Sequence, residues 1–355
     1  EARRKGAQIK TQTECRSIKF SKEDKLWTVI LYDKIKAQDY KILARNIVNA
    51  SGPWLNQFLE TATEDVKPAR KIRLIKGSHI IIPRAMNHDG AYILQNEDKR
   101  VVFTLPYLDD FTIIGTTDKE FTGKPENVSI DEWEIQYLLK VYNNHFKTPI
   151  SKSDIISTYS GVRPLCDDES SDPSAITRDY TLELQSQSSE NALISIYGGK
   201  ITTYRKLSES VLLKLKPFLP GKMGTWTAES ALPGANKFGQ TLEEIQLIIR
   251  NKYPWLNNKQ LKRYSKSYGL MCLDFLAGKT FPEALGIHFG AGLYQAEVDY
   301  LIENEWAYNA EDILWRRTKL GLFLTEAEQS LVEDYVAKKL LSKNLDIGLV
   351  YDQIA

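Results

Sequence analysis

The sequence predicts an α/β fold of the α+β kind, β-rich up to about residue 222 with a helical domain behind it. Three observations carry this. Short runs of β-branched and aromatic residues, bounded by glycine, proline and aspartate, recur through the first part. That texture stops over residues 222–229. Beyond it, Thr241 with Glu244 and Thr325 with Glu328 make two capping boxes, each opening a run of helical periodicity. The expected domains are 1–222 and 223–355, and 355 residues are too many for one ordinary core.

Taken in order, Leu26-Trp-Thr-Val-Ile-Leu-Tyr32 reads as a strand, and Asn46-Ile-Val-Asn-Ala50 as a short apolar strand running into Gly52-Pro53. Further strands are expected at 78–82, 91–94, 101–105 and 111–115, with Asp109-Asp110 as the hairpin turn between the last two. Ser129 and Glu132 are read as a capping box for a helix whose face is Ile135, Leu138, Leu139 and Tyr142. Strands resume at 155–159, 181–184 and 193–197, the last breaking at Gly198-Gly199. In the second domain, helical text lies around 258–276 and 294–320.

Composition excludes several classes. With 47 Lys and Arg against 46 Asp and Glu the net charge is +1, and the many aromatics are not interleaved with basic clusters, so nucleic acid is not an expected partner. A mean hydropathy of −0.36 with 42% hydrophobic residues describes a packed globular protein. Three cysteines without a close pair, and four histidines without ligand spacing, predict neither a disulfide framework nor a metal site. No apolar run reaches the ~18 residues of a membrane span. The chain opens at Glu1 and meets strand-like text with no βαβ opening, so a chain truncated at its N-terminus is expected.

No G-x-G-x-x-G fingerprint is present; Gly290-Ala-Gly-Leu-Tyr-Gln295 lacks the third small residue and a preceding strand. Asn49-Ala-Ser-Gly-Pro-Trp54 closes an apolar strand with small residues, which suits either close backbone approach to a ligand phosphate or a plain strand-to-helix turn. Tyr197-Gly-Gly-Lys-Ile-Thr-Thr-Tyr-Arg205 reads either as a cradle for an anion or as a glycine turn with a solvated lysine. Arg163, held between Gly161 and Pro164, and Arg178 are candidate anion forks or structural ion pairs. His79 is a core histidine or a proton acceptor that titrates near neutrality. Residues 203–219 form a basic amphipathic helix, with Tyr204, Leu207, Val211, Leu215 and Phe218 on one face; that face suits a membrane interface or a sheet.

Arg73-Leu-Ile-Lys-Gly-Ser-His79, Ile114-Gly-Thr-Thr-Asp118, Tyr159-Ser-Gly-Val-Arg-Pro-Leu-Cys-Asp-Asp-Glu169, Ala175-Ile-Thr-Arg-Asp-Tyr180 and Gly198-Gly-Lys-Ile-Thr-Thr-Tyr-Arg-Lys206 resemble the aerobic glycerol-3-phosphate dehydrogenases, and the resemblance spans essentially the whole chain. It implies an FAD-dependent oxidoreductase fold of the D-amino-acid-oxidase kind, lacking its first βαβ unit, with residues 1–222 as a partial FAD-binding and substrate domain and 223–355 as a helical cap. It implies oxidation of sn-glycerol 3-phosphate to dihydroxyacetone phosphate, with hydride passed to FAD and electrons to quinone. His79, Arg163 and Lys200 become the catalytic candidates, and Arg163, Arg178 and Lys200 the substrate-binding ones. Ala50, Ser51, Gly52, Trp54, Thr116, Thr117, Asp118, Gly199, Lys200, Ile201 and Thr202 would contact FAD. It favours the membrane reading of 203–219, implies the cytoplasmic face of the cell membrane as location, and admits a homodimer. A glycerol-3-phosphate oxidase using oxygen, and a fragment without catalysis or stable FAD binding, are the competing readings.

Overall fold

The computed structural model describes residues 1–167, 179–188, 190–221 and 224–351. The chain divides into two compact units, Gln12–Thr227 and a second made of Glu1–Thr11 with Ala228–Ala355. The first eleven residues were expected in the first domain. They belong to the other unit because the Thr11 hydroxyl lies 3.0 Å from that of Tyr308, and the Arg4 guanidinium 3.8 Å from Asp274.

The larger unit opens with an antiparallel meander, β1 (Thr13–Ser21), β2 (Leu26–Asp33) and β3 (Gln38–Ala44). β4 (Asn46–Asn49) then runs through a single turn at Gly52–Trp54 into α1 (Leu55–Ala62). Ile18, Trp27 and Val29 from the meander pack with Leu55 and Leu59 of α1, all nearly or fully buried.

The next elements build a six-stranded antiparallel sheet. Its spine is β5 (Ile72–Pro83), followed by β6 (Tyr92–Gln95), β7 (Val101–Tyr107), β8 (Phe111–Gly115) and the short β9 (Lys119–Glu120). α2 (Glu132–His145) covers one face, and β10 (Ser157–Cys166) completes the order β10-β5-β8-β7-β6, with β9 also on β5. The even-numbered residues Ile80 and Ile82 join Ile114, Val102 and Leu94 against Leu138, Leu139 and Tyr142 of α2. The cap of α2 is not the expected Ser129 with Glu132. Asp131 accepts from the Glu134 amide and Glu134 from the Asp131 amide, each at 3.0 Å, because the helix starts two residues later.

β11 (Thr181–Ser188) and β12 (Asn191–Tyr197) form a hairpin, and β12 lies parallel to β4, giving the order β11-β12-β4. β12 is apolar at almost every position because both its faces are covered. Leu193 and Tyr197 face the α1 core, and Ala192 and Ile194 pack on Val211 and Leu215 of α3 (Tyr204–Leu215). Of the two readings of the stripe on residues 203–219, membrane interface or sheet, the structure has the sheet. Leu207, Val211, Leu215 and Phe218, the face expected to meet lipid, are taken up by the sheet, while Leu213 remains 70% exposed on the opposite side.

In the other unit, α4 (Leu242–Lys252), α5 (Asn258–Tyr268), α6 (Cys272–Leu276), a hairpin of β13 (His288–Gly290) with β14 (Leu293–Tyr294), α7 (Gln295–Asn304) and α8 (Glu326–Tyr351) enclose their own core. Thr241 and Thr325 cap α4 and α8 as expected. Residues 290–292, where a fingerprint was rejected, form the hairpin turn. Among the described residues no helix is long and apolar enough to cross a membrane.

Behind β5, the buried Lys76 ammonium lies 2.7 Å from Glu134, which has no exposure at all. Glu134→Ala leaves the cation with only Asp131 and one carbonyl, so the expected loss is on the order of 3 kcal/mol in chemical denaturation. A loss within the ~0.5 kcal/mol of an ordinary surface change would show that the pair does not hold the sheet to α2.

Candidate active site

The face of the six-stranded sheet turned away from α2 carries the chemistry. Side chains alternate along a strand, so Ile75, Gly77 and His79 of β5 share this face with Arg163, Gly161 and Tyr159, their partners on β10. The His79 imidazole stacks on the Tyr159 ring, with centroids 4.4 Å apart and planes at 8°. Its other side lies against Gly115, the residue opposite it on β8; a Cβ there would fall 2.1 Å from His79 Cδ2. Nδ1 is buried and has no hydrogen-bond partner among the described residues. Burial, helped by the positive charge of Arg163, lowers the imidazole pKa to about 4. His79 is therefore neutral at pH 7 and can accept a proton.

Arg163 is clamped. Its Nη1 donates to Asp118 at 2.6 Å and its Nη2 to Thr116 Oγ1 at 3.0 Å. The guanidinium lies across Gly77, where any Cβ would come within 2.5 Å of Nη2. The strand expected at 78–82 begins earlier, at Ile72, so Gly77 is a strand residue that lets the guanidinium approach the backbone. Gly161, opposite it, has open space above, so this part of the face is free beside Arg163.

On the far face the same strand is held by a polar network. Ser78 donates to Glu134 at 2.9 Å and lies 2.8 Å from Ser160 Oγ, while Thr117 donates to Glu134 at 2.6 Å and accepts from the Ser78 amide at 2.9 Å. Lys76 bonds Glu134, Asp131 and the Ser129 carbonyl, and Lys119 reaches Asp131 at 2.8 Å. Burial works against the charge of Lys76, yet its two carboxylate partners hold its pKa above the usual lysine value. Asp131 likewise resists burial: hydrogen bonds from Lys119, Lys76 and the Glu134 amide keep its carboxyl well below the usual range.

A second group of predicted residues lies where parallel β4 and β12 end side by side. Ser195 pairs with Asn49, and each strand passes through glycine into a helix, at Gly52 and at Gly198-Gly199. Gly198 and Gly199 have φ of +71° and +100°, which only glycine adopts readily. The helical starts here carry no side-chain cap, whereas α2, α4 and α5 are capped by Asp131, Thr241 and Asn257. Uncapped N–H groups at the carboxyl ends of parallel strands are donors for phosphate. Buried Asn49 accepts from the Ser51 hydroxyl at 2.6 Å, but its Nδ2 has no partner, and nothing lies within 4 Å of a Cβ built on Gly52. An unpaired buried donor beside open space and two uncapped helix starts fits an anionic dinucleotide.

The structure thus gathers His79 and Arg163 of the sheet with Thr116 and Asp118 of the β8–β9 connection, and Ala50, Ser51, Gly52, Trp54, Gly199, Lys200, Ile201 and Thr202 at the strand ends. Gly198 joins the two, since its Cβ would lie 3.7 Å from the Pro164 carbonyl, one residue beyond Arg163. Lys200 and Ile201 are exposed, Ile201 at 88%. Thr117 departs from expectation: it is fully buried in the network behind the sheet and does not line this face. Arg178 lies outside the described residues. Tyr159, Gly77, Gly115 and Glu134 went unrecognised as site residues. The signal for Tyr159 was available, because 159, 161 and 163 fall on one face once the strand is allowed to run through Gly161.

A paired antiparallel sheet carrying an imidazole and a guanidinium, beside parallel strand ends built for phosphate, is the layout of a dinucleotide-linked oxidoreductase. Comparison narrows the class. Residues 1–205 match the family described as FAD dependent oxidoreductase, and residues 225–344 match the C-terminal domain of alpha-glycerophosphate oxidase. The chain belongs to the FAD-dependent oxidoreductase family. It is 48% identical to a glycerol-3-phosphate dehydrogenase of Pseudomonas aeruginosa, over 94% of this chain and 64% of that protein. It is 46% identical to the aerobic glycerol-3-phosphate dehydrogenase of Escherichia coli, over 94% of this chain and 66% of that one. It is also 41% identical to the D-erythritol 1-phosphate dehydrogenase of Brucella abortus, over 93% of this chain and 65% of that one. The chain therefore spans just under two thirds of the length of these relatives. The crystal structure of a Bacillus halodurans glycerol-3-phosphate dehydrogenase complexed with FAD superposes with a TM-score of 0.72 at 22% identity, covering 92% of this chain and 68% of that one, and shares the fold.

His79 has a folded pKa of about 4 against about 6.5 for a free imidazole, so between these values the unfolded chain binds the extra proton. Stability is expected to fall as pH drops from about 6.5 to about 4, and to fall less steeply in His79→Gln. Denaturation midpoints measured across that window check this; parallel curves for the two proteins would contradict it.

Proposed function

We propose that this chain is the larger part of an enzyme that oxidises sn-glycerol 3-phosphate at C2 to dihydroxyacetone phosphate. The observation that carries this reading is the neutral, unpartnered His79 beside the clamped Arg163 on one open sheet face. FAD, when bound, supplies the hydride acceptor. The chain's own residues supply the rest. His79 takes the C2 hydroxyl proton, and Arg163 stabilises the oxygen as charge develops on it. The Asn49 side-chain amide, the Gly52 backbone amide and those of residues 199–202 bind the cofactor's phosphates and hold its ring, with Lys200 as a nearby cation. The substrate phosphate is recognised by a guanidinium, from Arg163 or Arg178. The names of the relatives support the substrate, and the distinction from a longer polyol phosphate rests on the test below.

Electrons then pass to membrane quinone at the cytoplasmic face. The stripe buried under α3 cannot serve this contact. What remains is the opposite rim, where exposed Leu213 and Lys206 stand with Ile201 at the helix start.

In the full-length flavoprotein, Arg163→Ala and His79→Gln are each expected to lower kcat with glycerol 3-phosphate by about 10²–10⁴-fold. Near-native kinetics in both would overturn the assignment. Faster turnover of D-erythritol 1-phosphate would move the substrate to that polyol, hydrogen peroxide release would make it an oxidase, and a colourless purified protein would favour the fragment reading.

Leu213→Asp combined with Lys206→Glu is expected to weaken binding to vesicles of anionic lipid, read by co-sedimentation. Unchanged partitioning would remove this rim from the membrane contact.

A further inference from the structure

We infer that Tyr159 is a positioning residue: its ring and Gly115 form the two walls of a slot that fixes the plane of the His79 imidazole. This deepens the proposed function and rests on His79 being its proton acceptor.

The slot is built from strand register. Tyr159 is paired with His79 across β5 and β10, and Gly115 is paired with His79 across β5 and β8, so the imidazole stands in the central strand between two neighbours. On one side the Tyr159 ring lies parallel, 4.4 Å away at 8°. On the other, the missing side chain of Gly115 leaves room for the imidazole alone, since a Cβ would come within 2.1–2.8 Å of Cδ2, Cγ and Nε2. No hydrogen bond to Nδ1 from a described residue orients the ring, which a buried histidine ordinarily has. The two walls do this work in its place.

Tyr159 does not act as a core residue. It is 48% exposed, and aromatic rings in this protein's cores meet mostly tilted or edge-on, as Tyr264, Tyr268, Phe275 and Tyr300 do. Among the described residues, the ring it meets is that of His79, and it meets it flat. The charged and titratable groups around the imidazole are few. Arg163 and Tyr159 face it from β10, Tyr107 at the end of β7 acts on Tyr159, and Asp118 is neutralised by Arg163. Lys76, Glu134 and Asp131 lie on the other face of the sheet. Removing the ring therefore exposes the imidazole to water without removing a charge from its surroundings. A planar apolar wall is what the slot requires, and the phenol oxygen contributes nothing to it.

The test follows the His79 ring by NMR titration in the full-length protein labelled at the histidine ring carbon, with His79→Gln identifying the signal. Tyr159→Phe keeps the wall and is expected to titrate as the native protein does. Tyr159→Leu keeps bulk without the plane and is expected to raise the His79 midpoint by about one pH unit. It should also lower kcat roughly tenfold with little change in KM, because aim and not substrate binding is lost. A native-like midpoint in Tyr159→Leu, or equal impairment of the Phe and Leu variants, overturns the inference. Should Tyr159→Leu fail to fold, Gly115→Ala decides: it crowds the slot from the other wall and must displace the His79 signal, and an unshifted signal refutes the slot. The titration is read without turnover, so a native protein inactive on glycerol 3-phosphate would sink the proposed function and leave the slot to be judged by NMR alone.

Discussion

Glu134 has no exposed surface, and both its carboxylate oxygens are engaged. One accepts from Ser78 and Thr117; the other meets the Lys76 ammonium and the Asp131 amide. Removing a carboxylate from water is costly unless every lone pair finds a donor, and here they do. The consequence reaches across the sheet. Lys76 and Ser78 flank Gly77 on β5, and Thr117 lies between the two residues that clamp Arg163. A single buried carboxylate thus fixes the backbone from which His79, Thr116 and Asp118 project to the opposite face.

That division of faces explains the odd composition of β5. Its even positions must satisfy α2, with apolar residues at Ile80 and Ile82 and the polar pair Lys76 and Ser78 where the helix presents its N-terminal carboxylates. Its odd positions carry the site, so they include a glycine for the guanidinium to cross and a histidine seated between the Tyr159 ring and Gly115. The two demands do not compete, because alternation along a strand keeps them apart. The same economy holds at β12, whose two faces go to α1 and α3, so that its carboxyl end and the Gly198-Gly199 turn are left for a ligand.

Much of this was legible in the sequence, and what was not has physical reasons. The strands of β4, β7, β8 and β12, the capping boxes of α4 and α8 and the change of texture before residue 228 all follow from local periodicity and turn chemistry. His79 and Arg163 stood out by residue type and setting. The errors came where a local rule was overridden by tertiary contact. The strands expected at 78–82 and 155–159 extend further, to Ile72–Pro83 and Ser157–Cys166, and run through Gly77 and Gly161, since a close guanidinium and not a turn accounts for Gly77. Thr117 was placed on the ligand face because it adjoins Thr116 and Asp118, but the chain leaving β8 turns its hydroxyl to Glu134. The helix at 203–219 shows the limit of amphipathic pattern: an apolar stripe states that a surface is covered, not whether sheet or lipid covers it.

The electrostatics of the site follow from the same restraint. A histidine beside an arginine would ordinarily be balanced by a carboxylate, and Asp118 is the acidic residue of this face. It pairs with Arg163, at 2.6 Å, and among the described residues the charge that acts on His79 is that of the Arg163 cation. The imidazole is consequently held in its acceptor form at neutral pH, and the adjacent guanidinium stabilises any negative charge that forms on a bound hydroxyl as its proton departs. A carboxylate bonded to His79 would raise its basicity but also fill the space a substrate needs. The arrangement gives up basic strength in the resting site for an acceptor held in one plane next to a positive charge, so the proton acceptor gains its effect only when a polar ligand brings its own developing charge between the two side chains.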